Sequence, residues 1–141
     1  SGVSGLILPD IPLNEFEQDY AELYQKHNLS SVFLITPQTP NERIIAFDKA
    51  CNGFIYMVSS ASTTGANKTV DQQKQIEYFD RVKSLKLQSP TQIGFNIKDK
   101  ESFNYACKYA NGGIIGSAFI NKLGEEGDLK TKIQAFIGSV K

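Results

Sequence analysis

The sequence predicts an α/β protein with a sheet of parallel strands, and three observations lead to this fold class. Short apolar runs bounded by glycine, proline or asparagine recur along the chain, as expected for strands buried on both faces. Longer segments with helical spacing lie between these runs. The alternation has the ~30-residue spacing of βαβ units. The predicted strands are Gly5–Leu8, Ser31–Ile35, Gly53–Val58, Thr91–Phe95 and Gly113–Ile115.

Helices are predicted after each strand. The first runs from an Asn14 cap to about Asn28. Its apolar residues recur at helical spacing and predict one buried face, made of Phe16, Tyr20, Leu23 and Tyr24. The starts of the remaining long helices are predicted at Asn41, Asp71, Asp99 and about Asp128.

Two architectures are compatible with this order of elements. Right-handed crossovers between βα units build either a doubly wound sheet or a TIM barrel. A complete barrel has eight units and typically ~250 residues, whereas this sequence has 141 residues and about five units. A barrel would therefore be a partial one, and we expect residues 1–141 to form a single domain.

Composition excludes several classes of partner. Lys plus Arg and Asp plus Glu each number 15, so the chain lacks the excess positive charge that holds proteins on nucleic acid or anionic membranes. Cys51 and Cys107 lie outside any CxxC or Cys/His cluster, which predicts free thiols and no metal site. No apolar run approaches the ~20 residues that cross a bilayer, and the first residues do not resemble a signal peptide. We expect a cytoplasmic protein.

A candidate anion site follows the last predicted strand. Residues 112–118 place Gly116 and Ser117 where a strand ends and a short helix begins, and backbone N–H groups at such a helix start attract phosphate. A simple turn explains the same glycines. The segment Ser59–Lys68 is rich in small and hydroxylated residues; it suits either a loop that closes over a ligand or an ordinary connection.

Other chemical motifs are weak. GxxxxGK[ST] is absent and GxGxxG follows no strand, so the usual nucleotide-binding loops are unsupported. His27 is the only histidine, and its place at the end of the first helix favours interaction with the helix dipole over catalysis. Asp10 directly follows a strand, but general acid–base catalysis usually needs a second positioned group.

Five motifs follow one another along the chain at the predicted strand ends: GLILPDIPLNE (5–15), FLITP (33–37), FIYMVSSASTTG (54–65), IGFNIKD (93–99) and GGIIGSAFI (112–120). In order and spacing they resemble the tryptophan synthase alpha chain family, from about its fourth barrel strand onward. The resemblance covers essentially the whole chain. It implies a TIM barrel and a lyase that cleaves indole-3-glycerol phosphate to indole and glyceraldehyde 3-phosphate, without a cofactor of its own. It also implies a beta chain as partner, and this beta chain carries pyridoxal phosphate.

The resemblance assigns roles to individual residues. The substrate phosphate would be bound at Gly65, Asn96, Gly116 and Ser117. The indole pocket would be lined by Ile35, Tyr56, Phe95 and Ile114. Thr64 matches a closing-loop threonine that helps to hold a catalytic aspartate, and Asp10 matches an aspartate that communicates with the beta chain.

Three departures from the family pattern are visible. Asn96 stands where the family usually has a glycine whose N–H approaches phosphate; asparagine tolerates a left-handed backbone, but its side chain is expected to crowd the site. The closing loop at 60–65 lacks the family's arginine and first glycine. The glutamate and aspartate that transfer protons lie before the matched portion of the family, so we expect these residues alone to be inactive.

Two alternative functions remain. The chain could be a non-catalytic half barrel that binds phosphate or assembles with another chain, and exposed strand edges would favour self-association. A related phosphate-binding barrel of histidine or pyrimidine biosynthesis fits the PDIP and TTG motifs less well.

Overall fold

A computed structural model of the chain describes residues 2–9, 11–59, 68–94 and 96–140. Five strands alternate with helices. The strands are β1 (Gly5–Ile7), β2 (Ser30–Ile35), β3 (Phe54–Val58), β4 (Thr91–Gly94) and β5 (Gly112–Ile114). The helices are α1 (Leu13–Glu15), a π-helical turn (Phe16–Tyr20), α2 (Ala21–Lys26), α3 (Asn41–Ala50), α4 (Lys68–Ser84), α5 (Lys100–Ala106), α6 (Ser117–Gly124) and α7 (Leu129–Val140).

The strands form one parallel sheet in the order β1-β2-β3-β4-β5. The order never reverses, whereas a doubly wound sheet reverses at its switch point. The α/β prediction is thus confirmed, and the winding is that of a TIM barrel. Five strands make it a partial barrel.

The main hydrophobic core lies on one face of this sheet. Strand residues that point to the helices join aromatic and aliphatic residues from α3 and α4; the fully buried members include Ile35, Ile44, Ile55, Met57 and Phe79. Because side chains alternate along a strand, the intervening residues face the other way. They are Val32, Leu34, Phe54, Tyr56 and Val58, and we call this surface the inner face.

The first helix differs from its predicted form. Phe16 and Tyr24 are buried as predicted, but Tyr20 and Leu23 are 39% and 48% exposed. The π-helical turn at Phe16–Tyr20 is wider than an α-turn, so it rotates the later residues relative to an ideal helix. The predicted single apolar face is therefore wrong for two of its four residues.

Helix starts match the sequence at three of the four predicted positions. Asp99 caps α5 by accepting the Ser102 N–H at 2.9 Å, and Asp128 accepts the Thr131 N–H at 2.9 Å before α7. Helix α3 begins at Asn41, with Pro40 rather than Asn41 at the cap position. Helix α4 begins at Lys68, earlier than Asp71.

The amino ends of the strands are tied together by side chains. Asn52 Oδ1 accepts the Ser31 N–H at 2.6 Å, and Asn111 Oδ1 accepts the Thr91 N–H at 2.9 Å. Each asparagine precedes one strand and satisfies the first N–H groups of the strand before it. These bonds fix the end of the sheet opposite the predicted site. Within the described ranges, no helix is both long and apolar enough to cross a membrane.

Candidate functional site

A cleft of about 510 Å³ opens at the carboxyl ends of β3, β4 and β5. It is lined by Tyr56, Asn96, Ile97, Lys98, Ile114, Gly116, Ser117, Ala118 and Asn121. This is the end of the sheet at which barrel enzymes bind their ligands. Five of the residues singled out by the family resemblance meet here: Tyr56, Asn96, Ile114, Gly116 and Ser117.

Gly116 and Ser117 form the start of α6 in this cleft. Gly116 is the N-cap residue and has no side chain to cap the helix; its carbonyl accepts the first helical bond, from Ile120 N–H at 3.0 Å. The first N–H groups of an α-helix have no partner within the helix. Both residues are exposed, and a Cβ added at Gly116 would meet no atom within 4 Å. The arrangement suits an anion held by backbone donors.

Asn96 has the backbone conformation that the family's glycine would allow. Its φ is +59°, in the left-handed region that disfavours most residues with a Cβ but is tolerated by asparagine. The residue is exposed and lines the cleft. Asn96 thus adopts the left-handed backbone that asparagine tolerates, and the effect of its side chain on a ligand stays a prediction.

Tyr56 closes the apolar side of the cleft. It lies on the inner face of β3, opposite Gln92 of β4 in the parallel register. Burial raises the pKa of the Tyr56 phenol, so the hydroxyl remains protonated at neutral pH and keeps its donor. Together with Ile114, Tyr56 offers a ring and an aliphatic wall to a flat ligand.

Ser59 holds the end of β3 against β4. Its backbone N–H and its hydroxyl both donate to the Gly94 carbonyl, at 3.3 Å and 2.8 Å. Ser59 is 3% exposed. The end of β3 is thus fixed to the end of β4.

Ile35 is not among the cleft residues. It is 0% exposed and belongs to the core between the sheet and the helices, where its carbonyl accepts the Tyr78 hydroxyl at 3.1 Å. The preceding residue, Leu34, lies on the inner face and pairs with Tyr56 in the register of β2 and β3. The structure therefore corrects the assignment of Ile35 to the pocket wall, because neighbouring residues of a strand face opposite ways.

Four cleft residues are not among the predicted site residues: Ile97, Lys98, Ala118 and Asn121. Lys98 follows β4 in the turn before α5, and Asn121 lies one helical turn beyond Ser117. Lys98 lies in the family motif at 93–99, but the resemblance assigns it no role, and Asn121 lies just beyond the motif at 112–120. The i, i+4 spacing of Ser117 and Asn121 was a usable signal, since such residues share one helix face.

Four predicted site residues lie outside the described ranges: Asp10, Thr64, Gly65 and Phe95. Their assigned roles stay predictions. His27 is exposed at the end of α2 and is not among the residues that line the cleft.

The charge of the cleft comes from a single side chain among those described. Lys98 is the one lysine, arginine, aspartate or glutamate that lines it. No group of three or more His, Cys, Asp or Glu side chains able to hold a metal occurs in the part of the chain that the structure describes. Cys51 and Cys107 are free thiols, as predicted.

Comparison with known proteins gives a consistent result. The family model described as tryptophan synthase alpha chain matches residues 1–139. The tryptophan synthase alpha chain of Flavobacterium johnsoniae is 49% identical over 140 residues, which are 99% of this chain and 54% of that protein. The corresponding protein of Christiangramia forsetii is 47% identical over 141 residues, again 54% of its length. The chain thus spans about half the length of these relatives.

Solved structures agree with these sequence matches. Tryptophan synthase subunit alpha from Campylobacter jejuni superposes with a TM-score of 0.78 at 26% identity, covering 99% of this chain and 54% of the other. An aminoacrylate-bound tryptophan synthase from M. tuberculosis superposes with a TM-score of 0.73 at 28% identity, covering 96% and 48%. The sequential parallel sheet, the cleft at its carboxyl end and the match over residues 1–139 have one explanation: the chain belongs to the tryptophan synthase alpha chain family.

Proposed function

We propose that this chain serves tryptophan biosynthesis as the carboxyl-terminal part of a lyase that cleaves indole-3-glycerol phosphate to indole and glyceraldehyde 3-phosphate. The observation that carries the proposal is the cleft in which Gly116 and Ser117 meet Tyr56 and Ile114. It offers N–H donors at one side and apolar side chains at the other, which suits a ligand with a phosphate and an aromatic ring.

The phosphate would lie against the start of α6. The N–H groups of Gly116 and Ser117 would donate to its oxygens, with the Ser117 hydroxyl as a further donor and the Asn96 backbone beside them. The family resemblance adds Gly65 to this set. The positive end of the α6 dipole would favour the anion's charge.

The indole ring would lie against the inner face of the sheet. Tyr56 and Ile114 line the cleft there, and the family resemblance adds Phe95. Leu34 replaces Ile35 in this proposal, because it shares the face and register of Tyr56. An apolar wall of this kind binds a flat ring chiefly by removing its surface from water.

The chain alone would bind but not cleave. Breaking the carbon–carbon bond requires a base for the indole N–H and an acid that protonates the indole carbon. By resemblance, both carboxylates belong to the family's earlier strands, and these residues match about half of the relatives' length. Thr64 would support the catalytic aspartate once that part is present.

The partner of the complete protein would be a tryptophan synthase beta chain, which receives the indole. Pyridoxal phosphate would reside on that chain and not on this one, and Asp10 would take part in communication between the two. We expect the complex in the cytoplasm.

The alternative is a non-catalytic half barrel that assembles through its open surfaces. The inner face carries the half-buried Leu34, Phe54 and Val58, and Leu6 and Ile7 of the edge strand β1 are 39% and 44% exposed. Exposed apolar strands at an edge favour pairing with another chain, including a second copy.

One experiment separates the two functions. The chain is assayed for release of indole from indole-3-glycerol phosphate, alone and mixed with the portion of the Flavobacterium johnsoniae protein that precedes the matched region. We expect no indole from the chain alone and measurable indole from the mixture, with Ser117→Ala reducing the rate. Turnover by the chain alone would overturn our account of the missing carboxylates. A mixture that forms a complex but stays inactive would favour the assembly function.

A further inference from the structure

The cleft has an uneven distribution of charge. Its backbone donors at Gly116 and Ser117 carry partial charges only, and Lys98 is the one fully charged side chain among the described residues that line it. No described aspartate or glutamate lines the same space. A phosphate placed there would therefore meet one cation and no competing anion.

The backbone that carries Lys98 is held rigidly. Its N–H donates to the Ser102 hydroxyl at 3.0 Å, and the Asp99 N–H donates to the same oxygen at 3.2 Å. Asp99 in turn accepts the Ser102 N–H at 2.9 Å and completes the capping box of α5. The turn after β4 is thus fixed by α5, and Lys98 projects from it two residues beyond Asn96.

Two acidic residues lie near Lys98, but neither holds its ammonium in an ion pair within the described part of the chain. The hydrogen bonds that the Asp99 carboxylate accepts from the Ser102 hydroxyl and N–H are the main cause that lowers the pKa of Asp99, and the positive charge of Lys98 lowers it further by a smaller amount. Glu101 lies with Lys98 in the adjoining groove on the helix side. In the described part of the chain, the ion pair within 4 Å joins Lys122 to Glu125, and Lys98 forms none.

We propose that Lys98 is a binding residue that gives the cleft its preference for doubly charged phosphate monoesters. This inference rests on the proposed function, because it concerns the anion end of the same cleft. A lysine ammonium acts as a mobile point charge on phosphate, and it supplies what neutral backbone donors lack. Asn96 lines the same cleft as the backbone donors, so a charge that reaches the anion from the next turn would offset crowding by its side chain.

The test compares Lys98→Met with Lys100→Met. Met keeps most of the length of the side chain and removes the charge; Lys100 is also exposed and lies two residues away, but it does not line the cleft. The probe is inorganic phosphate, titrated into the protein and followed at the Gly116 and Ser117 amides by NMR. We expect Lys98→Met to weaken binding about threefold to tenfold, with Lys100→Met near wild type and Lys98→Arg close to wild type.

Salt dependence supplies a readout that a purely structural role would not change. Raising the ionic strength from about 0.01 M to about 0.15 M shortens the Debye length from ~30 Å to ~8 Å. Wild-type affinity should fall with added salt more steeply than that of Lys98→Met. If wild type binds phosphate and Lys98→Met binds it with the same affinity and salt dependence, the role of Lys98 is overturned and the proposed function is left intact. No amide shifts at Gly116 and Ser117 in the wild-type protein would overturn both.

Discussion

The side chain of Tyr56 lies directly over the backbone of Gly94, in the space that a Cβ atom at position 94 would fill. The hydroxyl and two ring carbons of Tyr56 would all overlap that atom. Gly94 is buried at the end of β4, and Ser59 is bonded to its carbonyl. The glycine thus lets the aromatic wall of the cleft lie flat on the inner face of the sheet.

Replacing Gly94 with alanine should displace Tyr56. We expect Gly94→Ala to destabilise the fold by about 1–3 kcal/mol, because the overlap is with a packed ring, and to weaken binding of indole. Chemical denaturation and indole fluorescence measure the two effects. Gly112→Ala is the matched control, since a Cβ there meets nothing within 4 Å. Equal stability of the two variants would show that Tyr56 moves away at little cost.

Gly116→Ala tests the anion site without disturbing the fold. The added methyl group enters open space, so we expect stability to change by less than about 0.5 kcal/mol. If phosphate is held by the N–H groups of Gly116 and Ser117, the methyl group blocks its approach. We expect phosphate affinity to fall about tenfold or more, since a charge-assisted hydrogen bond contributes roughly 1.5–3 kcal/mol.

The control for this prediction is at the other end of the same helix. A Cβ at Gly124 also meets nothing within 4 Å, so Gly124→Ala should leave phosphate binding unchanged. Calorimetry measures the affinity. If Gly116→Ala binds phosphate as tightly as wild type, the anion does not bind at the start of α6.

The sequence predicts the sheet well and the faces of its strands less well. Continuous apolar runs reveal five strands, because strands buried on both faces show no alternation. The same property hides which residues face inward, so it offers no check on the family resemblance, which places Ile35 rather than Leu34 at the indole pocket. A slip of one residue moves a side chain to the opposite face, and the register of β2 with β3 places Leu34, not Ile35, on the face of Tyr56.

Other differences have local causes. The π-helical turn at Phe16–Tyr20 has no sequence signature that we used. Tyr20 and Tyr24 are both predicted to be buried, but with this turn only Tyr24 is buried and Tyr20 is exposed. Lys98 reaches the cleft from a turn whose position depends on the capping box of α5. The sequence predicts the Asp99 cap. It does not show that this cap fixes the turn that carries Lys98 to the cleft, because that depends on how β4 and α5 lie relative to β5 and α6.

Asp48 should contribute stability that disappears in acid. Its carboxylate accepts the N–H groups of Gln88 and Ser89 at 2.9 Å and 2.8 Å, which ties α3 to the turn before β4. Burial alone would raise the pKa of Asp48, but these hydrogen bonds outweigh it and the pKa is lowered. A lowered pKa in the folded state stabilises the protein above the unfolded value of about 3.9, and this stabilisation is lost as the pH falls through the folded value.

We therefore expect Asp48→Asn to cost about 1 kcal/mol at neutral pH, after allowance for solvent screening. The difference from wild type should vanish in strong acid, where Asp48 is protonated in both states. Denaturation across the pH range measures this, with the exposed Asp19→Asn as control. If Asp48→Asn remains less stable than wild type by the same amount in acid, the packing of the Asp48 side chain, rather than its charge, stabilises the fold.

Asn96 presents the sharpest test of how this chain departs from its family. Its φ of +59° costs a residue with a Cβ on the order of 1 kcal/mol, and asparagine less than most. Asn96→Gly removes both this strain and the side chain beside the anion donors, so we expect phosphate to bind more tightly, by at most about fivefold. Asn96→Ala shortens the side chain but keeps the unfavourable φ, and should lower the free energy of unfolding by about 1 kcal/mol. Phosphate titrations of the three proteins, with Lys98 intact, separate strain from crowding. Weaker binding by Asn96→Gly would mean that the carboxamide of Asn96 donates to the anion, and that the departure from glycine is an added contact.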